Sequence, residues 1–511
     1  MEGMHMNSTG DIPIEYDFEN YANHMNKYLW AHIICMIIAY VFILPTGIVL
    51  AMAKSKAHIP VQVTYVLLTL VGYIFAHLSH HHASHTDYYK GNIHRPVGRV
   101  FMWMTFLIAV FGIVTAFLKR KLLKGYVPKE PVNSSPVDGG RTLHSMKNSM
   151  SYDAPLLENE DTQEDLETLD EGTSRRNKNQ TFLFTNMKNL IGGKGKGVFL
   201  TVLSYTHKTL GHLWLYMGFF EVCTGIVLLA GIFKGSHVFN GLAHWIKGGL
   251  FLWYGILSFG EYLGAFAEYG WAWNLRPKIS QSGLARFIPS KEMVESSILF
   301  TYGISNVWLE HLGNTDGIWN HHDMQHVSIA FMLWWAGLCG MLVESKVVRR
   351  FLNTSLSYAL HQSPHEEGSP ASDESSSVSL NLFPAITVFF TGVMMSSHEQ
   401  KSQISTVIHV LWGRLLSAAA VSRACTYILL YVKRPSSPWP TRPPTEIVTS
   451  FCLICGGIMF MASSYDVVNK IRVNDLSAML LMNMCVALTC IIMGLELFYL
   501  GLKGYAHAKQ N

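Results

Sequence analysis

Residues 29–53 read LWAHIICMIIAYVFILPTGIVLAMA, an apolar run broken by a single imidazole, His32. A helix needs about 20 such residues to cross the hydrocarbon core of a bilayer. The run is too long for the apolar segment of a signal peptide, and the 28 residues before it are polar, so it reads as an uncleaved first span. Pro45 should kink it, a disturbance that neighbouring helices tolerate. Similar runs recur along the 511 residues, about eleven in all. Lipid leaves backbone groups no partner outside their own segment, which forces helices. The fold class expected is therefore all-α: a polytopic transmembrane helical protein of about eleven spans in two bundles.

The runs after the first lie at about residues 60–78, 97–118, 210–233, 238–266, 292–312, 319–343, 382–396, 404–432, 447–464 and 478–502. Composition divides the chain around them. Residues 1–28 form a polar tail expected on the lumenal side. Residues 29–118 hold three spans and a histidine-rich loop. Residues 119–205 are rich in Ser, Asn, Lys and Glu and read as a disordered cytosolic loop. Residues 206–234 return to the front bundle as its fourth span. Residues 235–344 open a back bundle, 345–379 are a polar cytosolic insert, and 380–511 supply its last four spans.

Lys and Arg gather in every second loop: Lys54 and Lys56, Lys119–Lys124, Arg276–Lys291, Lys346–Arg350 and Lys433–Arg442. The positive-inside rule then places the N-terminus outside or in a lumen and the C-terminus in the cytosol. Which membrane is not encoded in this pattern. The net charge of +4 is too small to argue for nucleic acid. No phosphate-binding loop, GxSxG or HExxH is present, which disfavours common ATPase and hydrolase roles. All eight cysteines fall inside apolar runs, so no disulfide framework is expected.

Histidine is the informative residue. The stretch 77–96, HLSHHHASHTDYYKGNIHRP, carries six of them between two apolar runs. On the expected topology seventeen of the 24 histidines lie on the outer half and seven on the cytosolic half, although the long loops are cytosolic. Imidazole is the commonest transition-metal ligand near neutral pH. One outer cluster joins His32, His77, His80, His81, His82, His85 and His94. A second joins Glu310, His311, His322, His326, His398 and His409, with His322 and His326 four residues apart on one helix face. Taken singly, each histidine is more readily a hydrogen-bonded packing residue. Taken together, they point to ligation or proton handling. Glu221, Lys247, Glu261, Glu295, Arg414, Arg423 and Glu496 also lie in apolar runs, where charge is costly and faces the bundle interior. Glu261, Glu295 and Glu496 are expected near cytosolic ends, snorkelling or pairing; Glu221 and Arg423 are deeper.

The first span, with His32 and the Pro45-Thr46-Gly47 step, resembles the opening helix of the cytochrome b561 domain. HRPVGR at 94–99 resembles the start of that domain's third helix, and THKTLGHLWLYMGFFEVCTGIVLL at 206–229 its fourth. The resemblance implies b-type haem held by paired histidines, with His32 and His94 facing one lumenal haem and His207 or His212 as a ligand of a second. The sequence departs from the family in its second helix, where VQVTYVLLTL has no histidine and only His58 precedes it. Across nearly the whole chain, HWIKGGLFLWYGILSFGEYLGAF, GWAWNLRP, NHHDMQH and FCLICGGIMFMASS resemble the fungal YTP-like membrane proteins. Three functions remain open: a haem b electron-transfer or metalloreductase-like component with a redox partner, its His80–His85 loop presenting a metal ion; a haem-free zinc or copper handling or transport protein; and a non-catalytic membrane scaffold. Membrane lipid is a partner in each.

Overall fold

In the computed structural model, residues 26–82, 91–124, 193–277, 287–309, 321–361, 379–397 and 402–509 are described, with Trp319 and Gln400 as single positions. Each of the eleven apolar runs holds a helix. In chain order these are α1 (Lys27–Met52), α2 (His58–His82), α3 (His94–Lys124), α4 (Gly193–Ala230), α5 (His237–Leu263), α6 (Lys291–Leu309) and α7 (His321–Glu344). After the extra helix α8 (Lys346–His361) come α9 (Phe383–Ser396), α10 (Gln403–Val432), α11 (Thr445–Ala462), α12 (Tyr465–Val473) and α13 (Ala478–Ala508). The chain is an all-α, multi-pass integral membrane protein.

Eight of these helices are long and apolar enough to cross a bilayer, judged by length and composition; α9 is apolar but shorter. The remaining two of the eleven, α5 and α6, carry charged residues: Lys247 and Glu261 on the former, Lys291, Glu292 and Glu295 on the latter.

Some boundaries differ from the sequence reading. Helix α3 runs on to Lys124 and α4 begins at Gly193, so both ends of the segment read as a loop over 119–205 are helical. Lys, Arg and Leu in 119–124 are good helix formers, and a helix nucleated in the membrane propagates into them. The insert read over 345–379 likewise begins with α8, whose sequence KVVRRFLNTSLSYALH is amphipathic. The disturbance expected at Pro45 takes the form of a π-helical segment, Ile38–Ile43, just before it. Proline has no N–H to give and crowds the carbonyl four residues back; a wider turn relieves both.

The chain divides into two compact units. The first comprises residues 1–48 and 56–225, the second residues 49–55 and 226–511, so the division falls within α4. The first is built on a core of Ala39, Tyr40, Leu44, Tyr65, Phe101, Ile108 and Trp214. Its helices expose large apolar side chains such as Trp103 and Ile113, as a lipid-facing surface requires. The second has a larger core around Ile408, Trp412, Leu416, Leu453, Cys455, Met459 and Phe460.

Helices in lipid gain little from apolar burial against one another, so close backbone approach at small residues does the packing. A Cβ on Gly457 of α11 would lie 2.6 Å from the carbonyl oxygen of Gly248 on α5. One on Gly303 of α6 would lie 2.3 Å from the backbone nitrogen of Trp334 on α7. One on Gly413 of α10 would lie 2.5 Å from the carbonyl oxygen of Gly392 on α9. These three pairs form the frame of the second unit.

Candidate functional site

Helix α1 presents His32 one turn inside its start, and α3 begins with His94. In the first unit these rings meet edge to face, with centroids 6.3 Å apart and planes at 70°. Nδ1 of His32 lies 2.8 Å from the carbonyl oxygen of Gly72 on α2, an atom that can only accept, so this ring nitrogen carries the proton. Gly72 lets α2 come close: a Cβ there would sit 3.0 Å from the methyl of Met36.

Nδ1 of His94 is 2.9 Å from the hydroxyl of Thr224 and 3.3 Å from Oε1 of Glu221, both on α4. Thr224 donates its own proton to the Glu221 carbonyl, so its oxygen is left to accept from His94. Each ring thus has Nδ1 committed to a protein oxygen and Nε2 as its second nitrogen. Two glycines make room. A Cβ on Gly225 would lie 3.3 Å from Cε1 of His94, and one on Gly98 would lie 2.9 Å from Oε1 of Glu221. Deeper in the unit, the indole N–H of Trp214 is 3.0 Å from the Tyr65 hydroxyl and 3.2 Å from that of Thr105.

The other resemblance-derived ligands separate. His207 packs on α3, where a Cβ on Gly112 would meet its Cε1 at 2.8 Å and the amide nitrogen of Gln62 at 3.5 Å. Gln62 of α2 therefore stands beside His207, on the helix that lacks the early histidine the resemblance implies. His212 is exposed on α4, and its Nδ1 donates to the Lys208 carbonyl one turn back, 2.7 Å away.

Among the loop histidines, His77 and His81 approach on one face of α2 with their Nε2 atoms 3.2 Å apart, and His80 lies 6.3 Å from His81 ring to ring. His82 and His322 fall in helices, but their side chains lie outside the described residues, as do His85, Glu310, His311 and His398 altogether. In the second unit His409 of α10 meets His244 of α5, with centroids 6.1 Å apart. His326 of α7 lies within electrostatic reach of His244. Among the described residues no group of three or more His, Cys, Asp or Glu is arranged to hold a metal ion.

The charged residues of the spans show more order than their sequence suggests. Glu261, Glu295 and Arg423 come from three helices to one buried cluster, joined by Lys291, Glu292 and Glu446. The last three escaped the sequence reading because they sit at helix starts, where charges are ordinarily solvated. The available signal was the i, i+4 spacing of Lys291 and Glu295. A second missed pair is His237 and Asp466, 2.7 Å apart, with Asp466 also accepting from the backbone N–H of Phe233 at 2.5 Å. Burial pushes the ammonium of neighbouring Lys470 below the usual lysine range, with nearby Asp466 opposing that shift.

Comparison with known proteins follows this division of the chain. Residues 217–504 match the family described as "Protein YTP1-like, C-terminal", and residues 15–118 match a domain of unknown function, DUF2427. The chain belongs to the YTP1-like family. Its relatives in this family include an uncharacterized membrane protein of Schizosaccharomyces pombe, 66% identical over 516 residues and covering the whole of both chains. An uncharacterized membrane protein of Saccharomyces cerevisiae is 38% identical over 300 residues, 56% of this chain and 46% of that protein. Protein YTP1 of Saccharomyces cerevisiae is 25% identical over 264 residues, 52% of this chain and 47% of that one. No solved structure matches. The YTP1-like match covers the whole charged cluster of the second unit, whereas His32 and His94 fall in the DUF2427 match.

Proposed function

We propose that the protein is a membrane electron-transfer component that holds one b-type haem between His32 and His94. The separation of those two rings carries this reading. His32 and His94 come from separate helices, their ring centres are 6.3 Å apart, and the two rings would hold the haem iron. The commitment of each Nδ1 to an oxygen supports this, being the arrangement by which outer acceptors fix the ring orientation of metal-ligating histidines. The resemblance of α1, α3 and α4 to the cytochrome b561 domain supports the same ligands.

Haem, when bound, supplies one-electron chemistry. The chain's own contribution is orientation and electrostatics. Gly72 and Thr224 hold the two rings, and Glu221 sets a carboxylate beside His94 that strengthens the ring as an electron donor. Gln62, rather than a histidine, beside His207 favours a single haem. The basic loops after α1, α3, α5, α7 and α10 favour an orientation with the His94 end of α3 outside or lumenal. The pairing of His77 with His81 on that same side supports capture of a metal ion near the haem, as a metalloreductase-like component needs. The experiment is an absorbance spectrum of protein purified after haem-replete expression. A Soret band lost in both His32→Gln and His94→Gln and kept in His212→Gln is expected. Absence of the band, or its persistence in both substitutions, overturns the reading.

A second reading, zinc or copper handling without haem, is favoured by the pair His244 and His409. Their Nδ1 atoms each face a carbonyl of their own helix, Asn240 and Ser405, both at 2.8 Å, which turns Nε2 outward as on the first pair. Elemental analysis decides it: zinc or copper bound to wild-type protein and lost in His244→Gln and His409→Gln, with no haem absorbance.

A further inference from the structure

Arg423 of α10 lies 3% exposed in the second unit and is held from four directions. Its Nε is 2.8 Å from Oε1 of Glu446 on α11, and its Nη1 is 3.3 Å from Oε1 of Glu295 on α6. Nη2 donates to the Ser258 hydroxyl at 2.7 Å and Nη1 to the Tyr254 hydroxyl at 3.2 Å, both on α5. Lys291 is the second cation of the cluster among the described residues. It pairs with Glu261 of α5 and lies 3.7 Å from Glu295. The Tyr427 hydroxyl of α10 donates to Glu292 at 3.4 Å.

Trp273 closes this cluster. Its ring faces Lys291 at 4.3 Å and Arg423 at 5.6 Å from the ring centre, and it is itself 2% exposed. The loop carrying it is pinned to the α10–α11 loop: Leu275 N–H donates to Ser437 at 3.0 Å, Asn274 to Pro438 at 2.7 Å, and Thr441 to Trp273 at 2.9 Å.

Among the described residues the charges do not balance. Four carboxylates, Glu261, Glu292, Glu295 and Glu446, face two cations, Lys291 and Arg423. Adjacent Glu344 is matched by Arg349 at 3.4 Å, and Glu496 of α13 adds a further carboxylate at the edge, near Gly260. An uncompensated charge away from water is expensive. A second observation points the same way. Oε1 of Glu261 and Oε2 of Glu446, on side chains with no exposure, have no hydrogen-bond donor among the described residues.

We propose that this cluster is a proton-binding centre of the second unit, holding about two protons on its carboxyl groups beyond the charges of Lys291 and Arg423. The centre is independent of the haem reading, because its residues lie in the other unit.

The full chain in lipid nanodiscs tests it by infrared spectroscopy. The proposal predicts a carboxylic-acid C=O band at neutral pH that weakens in Glu292→Gln and in Glu446→Gln. Glu261→Gln serves if either variant fails to fold. Absence of the band in wild-type protein, or a band unchanged in the folded variants, overturns the proposal. Loss or retention of a Soret band leaves it untouched.

Discussion

Arg423 and Glu446 form an ion pair of 2.8 Å with neither side chain more than 4% exposed, inside an apolar bundle. Breaking such a pair from one side leaves an uncompensated buried charge. Arg423→Met is expected to destabilise the protein by about 3–5 kcal/mol. Denaturant unfolding in detergent measures it, and the double change Arg423→Met with Glu446→Leu is expected to recover part of the loss.

The glycines of the second unit divide into those that permit contact and those that do not. Gly457→Ala places a Cβ 2.5 Å from the backbone nitrogen of Leu252, so α5 and α11 must move apart. The expected cost is about 1–3 kcal/mol. Gly494→Ala on α13 meets nothing within 4 Å and is expected to be neutral or to stabilise by up to about 1 kcal/mol, through helix propensity. Thermal unfolding of the two variants side by side checks the contrast.

Gln62 of α2 stands beside His207, and on the one-haem reading proposed above a histidine in its place completes a second pair. Gln62→His is expected to add a second b-type component to the spectrum by pairing with His207 across Gly112. A redox titration that resolves one component in wild-type protein and an additional one in the variant checks this. An unchanged spectrum from a folded variant places the second pair out of reach.

Asp466 ties α12 to the turn between α4 and α5 through His237 and the Phe233 N–H. Asp466→Asn removes the charge from both contacts. The expected loss is about 1.5–3 kcal/mol, the range for hydrogen bonds to charged groups. Faster amide exchange confined to residues 231–237 and α12 is the accompanying sign.

The eleven helices, their order and the membrane-spanning class follow from runs of apolar residues, because a chain in lipid has no alternative that satisfies its backbone. Pairing His32 with His94 was accessible by resemblance, since both stand at helix starts on one side. Tertiary structure decided what their order along the chain does not encode. Glu221 and Thr224 reach His94 only because Gly98 and Gly225 leave room for them. His212 and His207 looked equivalent in sequence, yet a five-residue step turns them to different faces of α4. Lys291, Glu292 and Glu446 read as ordinary charges at helix starts, and only packing against Arg423 and Trp273 takes them out of water. Apolar periodicity is a local property that one strand of text carries; which charges lose their solvent depends on neighbours more than a hundred residues away.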